Sequence, residues 1–461
     1  MKKLLFYLKI IFTKSSEVEN NAEHKRMKGI ALTAITAMIA KLLAVITPLV
    51  TVRINLSYMG EEIYGLWSAV ASLFTMFAYA DLGLGSGLQT ELCRCCDDKE
   101  KSKKLISSSY LILTLFCVVL LLVFVVIYPF VNWANMVNAE SEQAIAIAGS
   151  VVLAILIPRI FNVPFSLINR IELAYQEGYK YNIWQCVGNI INLIVIFLIS
   201  LTNLGPVAIV WASSLVTLLI SVLNTLVFFI FQKKDIRISF KMFDIGMAKK
   251  LLNVGIMFFV LSIFTTLSLS MDNFIVAKVQ GLKEVTSYST MYKIVSMISV
   301  VSTMLSTPMW TANGEALAKG QVDWVKKTTD KMALLSFALS FAASLGVIIL
   351  IKPALYILTD GVVKPDYLLL IGMCIYQIVV SVTNPYFMIL NATRKIIFQI
   401  VNYLIFSLIS LPLKYIFGLK YGVQAITWIG VITYLLVLTI STYIMSQKSL
   451  KAERLKHANN G

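Results

Sequence analysis

The segment ISSSYLILTLFCVVLLLVFVVIYPF at residues 106–130 decides the class of fold. From Tyr110 to Ile127 it contains no charged residue. A helix rises about 1.5 Å per residue, so about 20 apolar residues cross the roughly 30 Å hydrocarbon layer of a membrane. Because that layer holds no water, backbone polar groups have to bond within the segment, which favours a transmembrane helix.

Similar segments recur along the whole chain. The composition agrees with them, because 58% of the residues are hydrophobic and 14% are charged, against about 45–50% and about 25% in soluble domains. A transmembrane β-barrel would show short alternating segments instead of continuous apolar ones. We therefore predict an all-α polytopic membrane protein with about twelve transmembrane helices, at 29–51, 63–84, 106–130, 143–166, 181–200, 205–231, 251–275, 285–311, 332–351, 366–390, 396–416 and 421–446.

The basic residues predict the orientation of these helices. With the N-terminus inside, thirty of the 40 Lys and Arg residues fall in inner segments, seven in outer loops and three within spans. Short cytoplasmic loops are enriched in Lys and Arg, so this asymmetry predicts that both termini are cytoplasmic. The net charge of +16 is then mainly an orientation signal, and we do not predict binding to nucleic acid.

The spans divide into two sets of six. MGEEIYGLWSAVASL (59–73) and VQGLKEVTSYSTMYKIVSM (279–297) hold corresponding places in the two sets, which suggests a duplicated unit. Two parallel lobes would enclose a central cavity and work by alternating access, as in transporters. The predicted segments are a cytoplasmic amphipathic N-tail at 1–28, an N-lobe at 29–231, a cytoplasmic linker at 232–250, a C-lobe at 251–446 and a cytoplasmic C-tail at 447–461.

Three cations lie within the predicted spans: Lys41, Arg159 and Lys293. A charge at mid-helix costs about 2.5–3.5 kcal/mol on the translocon scale, so each has to face the interior, form a pair or reach the interface. Lys41 is twelve residues into its span, near the midplane. Arg159 stands between Pro158 and Pro164, and broken helices are tolerated where the backbone lines a cavity. Together the three cations predict a site for an anionic group, because a guanidinium such as that of Arg159 can bind phosphate through two hydrogen bonds.

Two carboxylates accompany these cations. Asp81 begins DLGLGSG near the inner end of the second span, and Asp272 lies toward the outer end of the seventh. Both residues fit ion coupling and both fit structural pairing, with Lys41 as a partner for Asp81 and Lys293 as a partner for Asp272. The sequence leaves these alternatives open.

The absence of several catalytic and nucleotide-binding motifs excludes some classes of function. The chain has no P-loop, no catalytic triad and no pattern of metal ligands. The cluster formed by Cys93, Cys95 and Cys96 has no nearby histidine or second cysteine cluster, so we interpret these residues as reduced thiols. We therefore predict a transporter without catalytic residues, cofactor or metal, and not an enzyme.

The stretch LSYMGEEIYGLWSAVASLFTMFAYADLGLGSGLQTEL (56–92) resembles the N-terminal signature of polysaccharide-biosynthesis (O-antigen, Wzx-type) flippases. The MG-x-x-x-YGLW turn and DLGLGSGL carry the likeness. These flippases belong to the multidrug/oligosaccharidyl-lipid/polysaccharide exporter superfamily. The resemblance implies two lobes around a cationic cavity. The implied substrate is undecaprenyl-pyrophosphate-linked oligosaccharide, flipped from the inner to the outer leaflet of the bacterial cytoplasmic membrane for O-antigen, capsule or exopolysaccharide synthesis.

Two other functions compete with a flippase. A multidrug or organic-cation antiporter of the same superfamily would need an acidic cavity, whereas cations outnumber carboxylates three to two within these spans. A membrane scaffold for polysaccharide assembly would use the basic inner loops to recruit glycosyltransferases or a polymerase. The same loops are expected to contact anionic membrane lipids.

Overall fold

The computed structural model describes residues 22–75, 83–95, 98–306, 309–393 and 395–459, and within these ranges it contains helices, turns and bends but no strand. Asp81 and residues 1–21 of the predicted N-tail lie outside the described residues. The α-helices before the predicted linker are α1 (Ala22–Leu73), α2 (Leu84–Cys95), α3 (Lys99–Ile127), α4 (Trp133–Met136), α5 (Glu142–Phe165), α6 (Leu167–Ala174), α7 (Gly178–Ser200) and α8 (Pro206–Val227).

The α-helices after it are α9 (Ile245–Ser270), α10 (Asp272–Gln280), α11 (Leu282–Ser306), α12 (Met309–Ala318), α13 (Val322–Thr359), α14 (Tyr367–Ala392), α15 (Ile396–Tyr421), α16 (Val423–Thr433) and α17 (Ile440–Asn459). Short 3-10 turns occupy Tyr128–Phe130, Lys234–Ile236 and Phe240–Met242, and π-helical turns occupy Phe228–Gln232 and Tyr434–Thr439.

Ten helical segments of the described chain are long and apolar enough to cross a membrane. They also carry exposed apolar side chains, such as Phe130 at 84% and Ile349 at 75% exposure, which a soluble surface would not present in such number. The prediction of an all-α, multi-pass membrane protein is confirmed. The ten segments are Ile35–Leu73, Lys99–Phe130, Glu142–Ala174, Gly178–Ser200, Pro206–Gln232, Phe259–Gln280, Val322–Thr359, Tyr367–Ala392, Ile396–Tyr421 and Val423–His457.

Two of the twelve predicted spans are helical where the structure describes them, but they are not separate members of these ten. The predicted span 63–84 begins within α1, and residues 76–82 lie outside the described part of the chain. The predicted span 285–311 begins within α11, whose serines, threonines and tyrosines make it less apolar than its neighbours.

The turn after the first predicted span is made at Gly60. This glycine has φ 80° and ψ 170°, and it joins two helices that run together as α1. Residues with a side chain rarely adopt that φ, so the backbone itself requires glycine there. The helix after Gly60 contains Tyr64 and Gly65, which belong to the YGLW part of the flippase-like signature.

Two compact units are defined by contacts within the chain. The first comprises Met1–Ile54, Phe77–Asn132 and Gly149–Phe259, and the second comprises Asn55–Met76, Trp133–Ala148 and Val260–Gly461. The division into lobes at 29–231 and 251–446 stays a prediction. Each unit has its own apolar core, built in the first around Leu84, Leu88, Ile106, Leu113, Ile171 and Phe228, and in the second around Phe387, Leu390, Tyr403, Phe406, Tyr434 and Leu438.

Asp366 caps the N-terminus of α14. Its Oδ1 accepts hydrogen bonds from the backbone N–H groups of Leu368 (3.0 Å) and Leu369 (3.1 Å), and its Oδ2 accepts one from Gln424 Nε2 (2.6 Å). An Asp366→Ala change is expected to lower the free energy of unfolding by about 1 kcal/mol, as for other lost N-caps. Asp366→Asn keeps an acceptor and should lose less. Thermal unfolding of the purified variants measures both, and equal stability of Asp366→Ala and wild type would contradict the capping role.

Candidate functional site

The five predicted site residues are distributed over both units. Lys41 and Arg159 belong to the first unit, Lys293 and Asp272 belong to the second, and Asp81 lies outside the described residues. Lys41 is exposed on α1, and no carboxylate of the described residues forms an ion pair with it. Arg159 is half-buried on α5, in the stretch that contains Pro158 and Pro164.

Lys293 is held by an aromatic side chain. Its ammonium donates a hydrogen bond to the hydroxyl of Tyr64 and lies 4.7 Å from the centroid of the same ring. Tyr64 is 2% exposed and packs edge-on against Trp67, with ring centroids 6.2 Å apart. A hydroxyl and a ring face orient a cation without cancelling its charge. Within the described residues no carboxylate forms an ion pair with Lys293.

One alternative from the sequence was an ion pair between Asp272 and Lys293. The structure shows a different partner for Asp272. Its Oδ1 forms an ion pair with Lys414 Nζ at 2.5 Å, and its Oδ2 accepts a hydrogen bond from the Tyr288 hydroxyl at 2.9 Å. The Lys414 side chain is 1% exposed and that of Asp272 is 17% exposed. Each carboxylate oxygen thus has a partner within the protein, and Lys414 supplies the counter-charge.

Local geometry brings this pair together. Met271 interrupts the helical path between α9 and α10, so Asp272 is the first residue of α10, where the helix dipole favours a negative charge. Lys414 lies in α15, two residues after Pro412. A Cβ at Gly430 would be 3.1 Å from Lys414 Cε, so this glycine leaves the room that the lysine side chain occupies.

Lys414 was missed as a site residue because the sequence analysis counted it among the seven outer-loop cations. That assignment is wrong, since Lys414 is a buried residue of α15. A signal did exist, because Lys414 falls inside the predicted span 396–416. Tyr64 was also missed, although it stands in the quoted YGLW motif.

A cavity of about 120 Å³ adjoins the pair within the second unit. Asn273 Nδ2 donates to Ser72 Oγ at 3.2 Å, and Ser72 Oγ donates to the Ser270 carbonyl at 2.7 Å. The Asn273 Oδ1 atom is buried and has no hydrogen-bond partner among the described residues. All of the lining residues except Leu269 carry a polar group, and the one carboxylate among them is already paired. It is formed by Ser72, Thr75, Leu269, Ser270, Asp272, Asn273, Tyr288 and Tyr292.

Comparison with protein families gives two matches. The family model described as "Polysaccharide biosynthesis protein" matches residues 27–310, and the model described as "MatE" matches residues 257–416. A curated relative from Yersinia pseudotuberculosis, "Putative O-antigen export protein", is 22% identical over 416 residues. That alignment covers 85% of this chain and 90% of the relative.

Solved structures share the fold. The inward-facing conformation of a multidrug resistance MATE family transporter of the MOP superfamily aligns with a TM-score of 0.72 at 16% identity, covering 91% of this chain and 99% of that one. An outward-facing conformation of such a transporter aligns at 0.68, with 15% identity and coverage of 93% and 96%. A MOP superfamily transporter from Pyrococcus furiosus, described as having a binding pocket of reverse polarity, aligns at 0.65, with 17% identity and coverage of 93% and 96%.

Proposed function

The chain belongs to the polysaccharide biosynthesis protein family, and from this premise we propose that it flips undecaprenyl-pyrophosphate-linked oligosaccharide from the inner to the outer leaflet by alternating access. The observation that carries the proposal is Lys293, a cation in the helical part of the chain that no described carboxylate neutralises. Lys41, in the first unit, is another cation that no carboxylate of the described residues neutralises. Charge-assisted hydrogen bonds from such cations are the contacts by which phosphate oxygens are bound.

The direction of transport follows from the charge of the substrate. Moving one elementary charge across a membrane is worth about 2.3 kcal/mol per 100 mV. An inside-negative potential therefore drives an anionic pyrophosphate outward. We place the protein in a bacterial cytoplasmic membrane with both termini inside, where glycosyltransferases and a polysaccharide polymerase would supply and use the glycan. Anionic lipids would contact its basic inner loops.

A second candidate, an organic-cation antiporter, is favoured by the MatE match to residues 257–416. A carboxylate that no cation of the protein neutralises would be the natural partner of an organic cation. Asp272 already has Lys414 and Tyr288 as partners, which weakens this candidate for the second unit. The two candidates differ in the effect of removing Lys293, because only the anionic substrate would bind this residue.

Lys293→Ala is expected to reduce translocation of lipid-linked oligosaccharide at least about tenfold. A hydrogen bond to a charged group is worth about 1.5–3 kcal/mol, and this contact would be lost. Lys293→Arg, which keeps the charge, should retain more activity. The measurement is translocation of a fluorescent undecaprenyl-pyrophosphate oligosaccharide in proteoliposomes, with Lys41→Ala and Arg159→Ala assayed in parallel.

Lys420→Ala is the matched control. Lys420 also lies over a tyrosine ring, 5.2 Å from the centroid of Tyr421, but it is exposed at the end of α15. This variant should transport like wild type. Full activity of Lys293→Ala would contradict the cationic site. Export of ethidium by the wild type, unaffected by Lys293→Ala, would favour the antiporter instead.

A further inference from the structure

Glu172 is a fully buried carboxylic acid in the first unit. It lies on α6 and has 0% exposure. Its Oε2 accepts one long hydrogen bond from Asn224 Nδ2, at 3.3 Å, and the backbone amide of Tyr181 lies near the same carboxyl group. Its Oε1 is buried and has no hydrogen-bond partner within the described ranges. The side chain is thus incompletely satisfied for an ionised carboxylate, which can accept about four hydrogen bonds.

The cations near Glu172 are bonded to other groups. Lys180 Nζ forms an ion pair with Glu177 at 2.6 Å and a hydrogen bond with Gln232 Oε1 at 2.5 Å. Lys233 Nζ lies 3.7 Å from the other oxygen of Glu177. Arg170 donates to Gln89 Oε1 at 3.4 Å. Among the described residues no ion pair neutralises Glu172, in contrast to Asp272 in the second unit.

The surroundings of Glu172 are mostly apolar. Helix α6 packs against α2, α7 and α8, and its Leu167, Ile168 and Ile171 belong to the core of the first unit. The helices α3 and α8 contribute a tyrosine and neutral polar groups, respectively. Titratable or charged groups on the packed elements and adjoining turns include Glu91 of α2, Tyr110 of α3, Arg170 of α6, Tyr175 and Glu177 of the following turn, Tyr179, Lys180, Tyr181 and Cys186 of α7, and Lys233.

We propose that Glu172 is a proton-binding site. An ionised carboxylate in this environment would lose its hydration without gaining a cation or a full set of donors, and that cost is several kcal/mol. The packed arrangement around α6 therefore favours the neutral carboxyl group, which needs only the Asn224 contact and one acceptor. Release of the proton requires water to reach the side chain, and hence a loosening of α6 from its neighbours.

Because proton release requires α6 to loosen, the protonation state of Glu172 depends on the conformation of the first unit. The state with α6 packed holds the proton, and a state with Glu172 hydrated releases it as the carboxylate. A protein that alternates between such states can move a proton in exchange for its substrate. This last step rests on the proposed function, whereas proton binding itself does not.

Infrared spectroscopy of the full-length protein in nanodiscs tests proton binding directly. At neutral pH the wild type should show a carboxylic acid C=O band that is lost in Glu172→Gln and kept in Glu177→Gln. Glu177 is the control because it lies five residues away and is paired with lysines. If Glu172→Gln does not fold, Glu172→Asp should keep the band at a shifted frequency. Identical carboxyl regions in wild type and Glu172→Gln would overturn the proposal.

Transport separates a coupling proton from a purely structural one. With an imposed pH gradient, oligosaccharide translocation by the wild type and Glu177→Gln should accelerate, and Glu172→Gln should lose this response while keeping its response to membrane potential. An unchanged pH-gradient response in Glu172→Gln overturns the coupling role even if the band is present. No translocation by the wild type would reject the proposed function, and the infrared result would still decide whether Glu172 binds a proton.

Discussion

Replacing Lys414 with methionine is expected to destabilise the protein by about 3 kcal/mol. Removal of one partner of a buried ion pair typically costs about 3–5 kcal/mol, because the remaining charge is left uncompensated. The lower end applies here because the Asp272 side chain is 17% exposed and keeps its hydrogen bond from Tyr288. Methionine has nearly the same length as the lysine stem, so packing beside Gly430 should be preserved.

A second substitution should restore much of the stability that Lys414→Met loses. In the double variant Lys414→Met with Asp272→Asn, no charge is left buried, and neutral replacements of whole ion pairs are often tolerated. We expect the double variant to be more stable than Lys414→Met alone. Thermal unfolding in nanodiscs measures the single and double variants together, and the difference from additivity gives the coupling between the two residues.

An exposed ion pair provides the control. Arg454 pairs with Asp323, and their side chains are 59% and 86% exposed. Surface pairs contribute less than about 1 kcal/mol, so Arg454→Met should change stability little. Equal losses of stability in Lys414→Met and Arg454→Met would show that burial does not increase the cost of breaking the Lys414–Asp272 pair. If the double variant is stable yet inactive in translocation, the pair acts in transport as well as in folding.

The helices could be predicted from the sequence because each depends on the apolar character of its own segment. Each apolar run has to become a helix in a membrane, and the turn at Gly60 is marked by a glycine between two such runs. The predicted span 143–166 was too short, because α5 continues through a bend into α6. Arg170, counted among the thirty cations of the inner segments, lies within α6.

The contacts of the candidate site could not be predicted from the sequence, because they join distant parts of the chain. Asp272 and Lys414 are 142 positions apart, and Tyr64 and Lys293 are 229 apart. Helical periodicity tells which residues share a face, but it does not tell which helices are neighbours. Composition identified Lys293 and Asp272 as unusual in a membrane, and only the packing of helices decided that each has a different partner.

Gly65→Ala is expected to be destabilising even though alanine is the better helix former. A Cβ at Gly65 would overlap the backbone carbonyl oxygen of Leu282, and it would lie 3.0 Å from Thr286 Oγ1. The Thr286 hydroxyl donates to the Glu61 carbonyl at 2.6 Å, which holds the two helices together at this point. Because the main obstacle is backbone, no rotamer change relieves it, and α11 has to move.

The expected loss is about 1–3 kcal/mol, as for other overpacked sites. Gly346→Ala in α13 is the matched control, since a Cβ there meets nothing within 4 Å. That change should be neutral or slightly stabilising, because alanine exceeds glycine in helix propensity by about 1 kcal/mol. Thermal unfolding of both variants provides the comparison, and a Gly65→Ala protein as stable as Gly346→Ala would rule out the close contact.

The same experiment bears on the meaning of the YGLW motif. Within it, Tyr64 binds Lys293, Gly65 admits the Leu282 carbonyl, and Leu66 is 0% exposed. The glycine thus permits the approach that lets tyrosine reach the lysine of α11. Gly65→Ala should therefore reduce translocation, as Lys293→Ala does. Tyr64→Phe should have a smaller effect because the ring remains. Normal translocation by Gly65→Ala would show that the position of Lys293 does not depend on this contact.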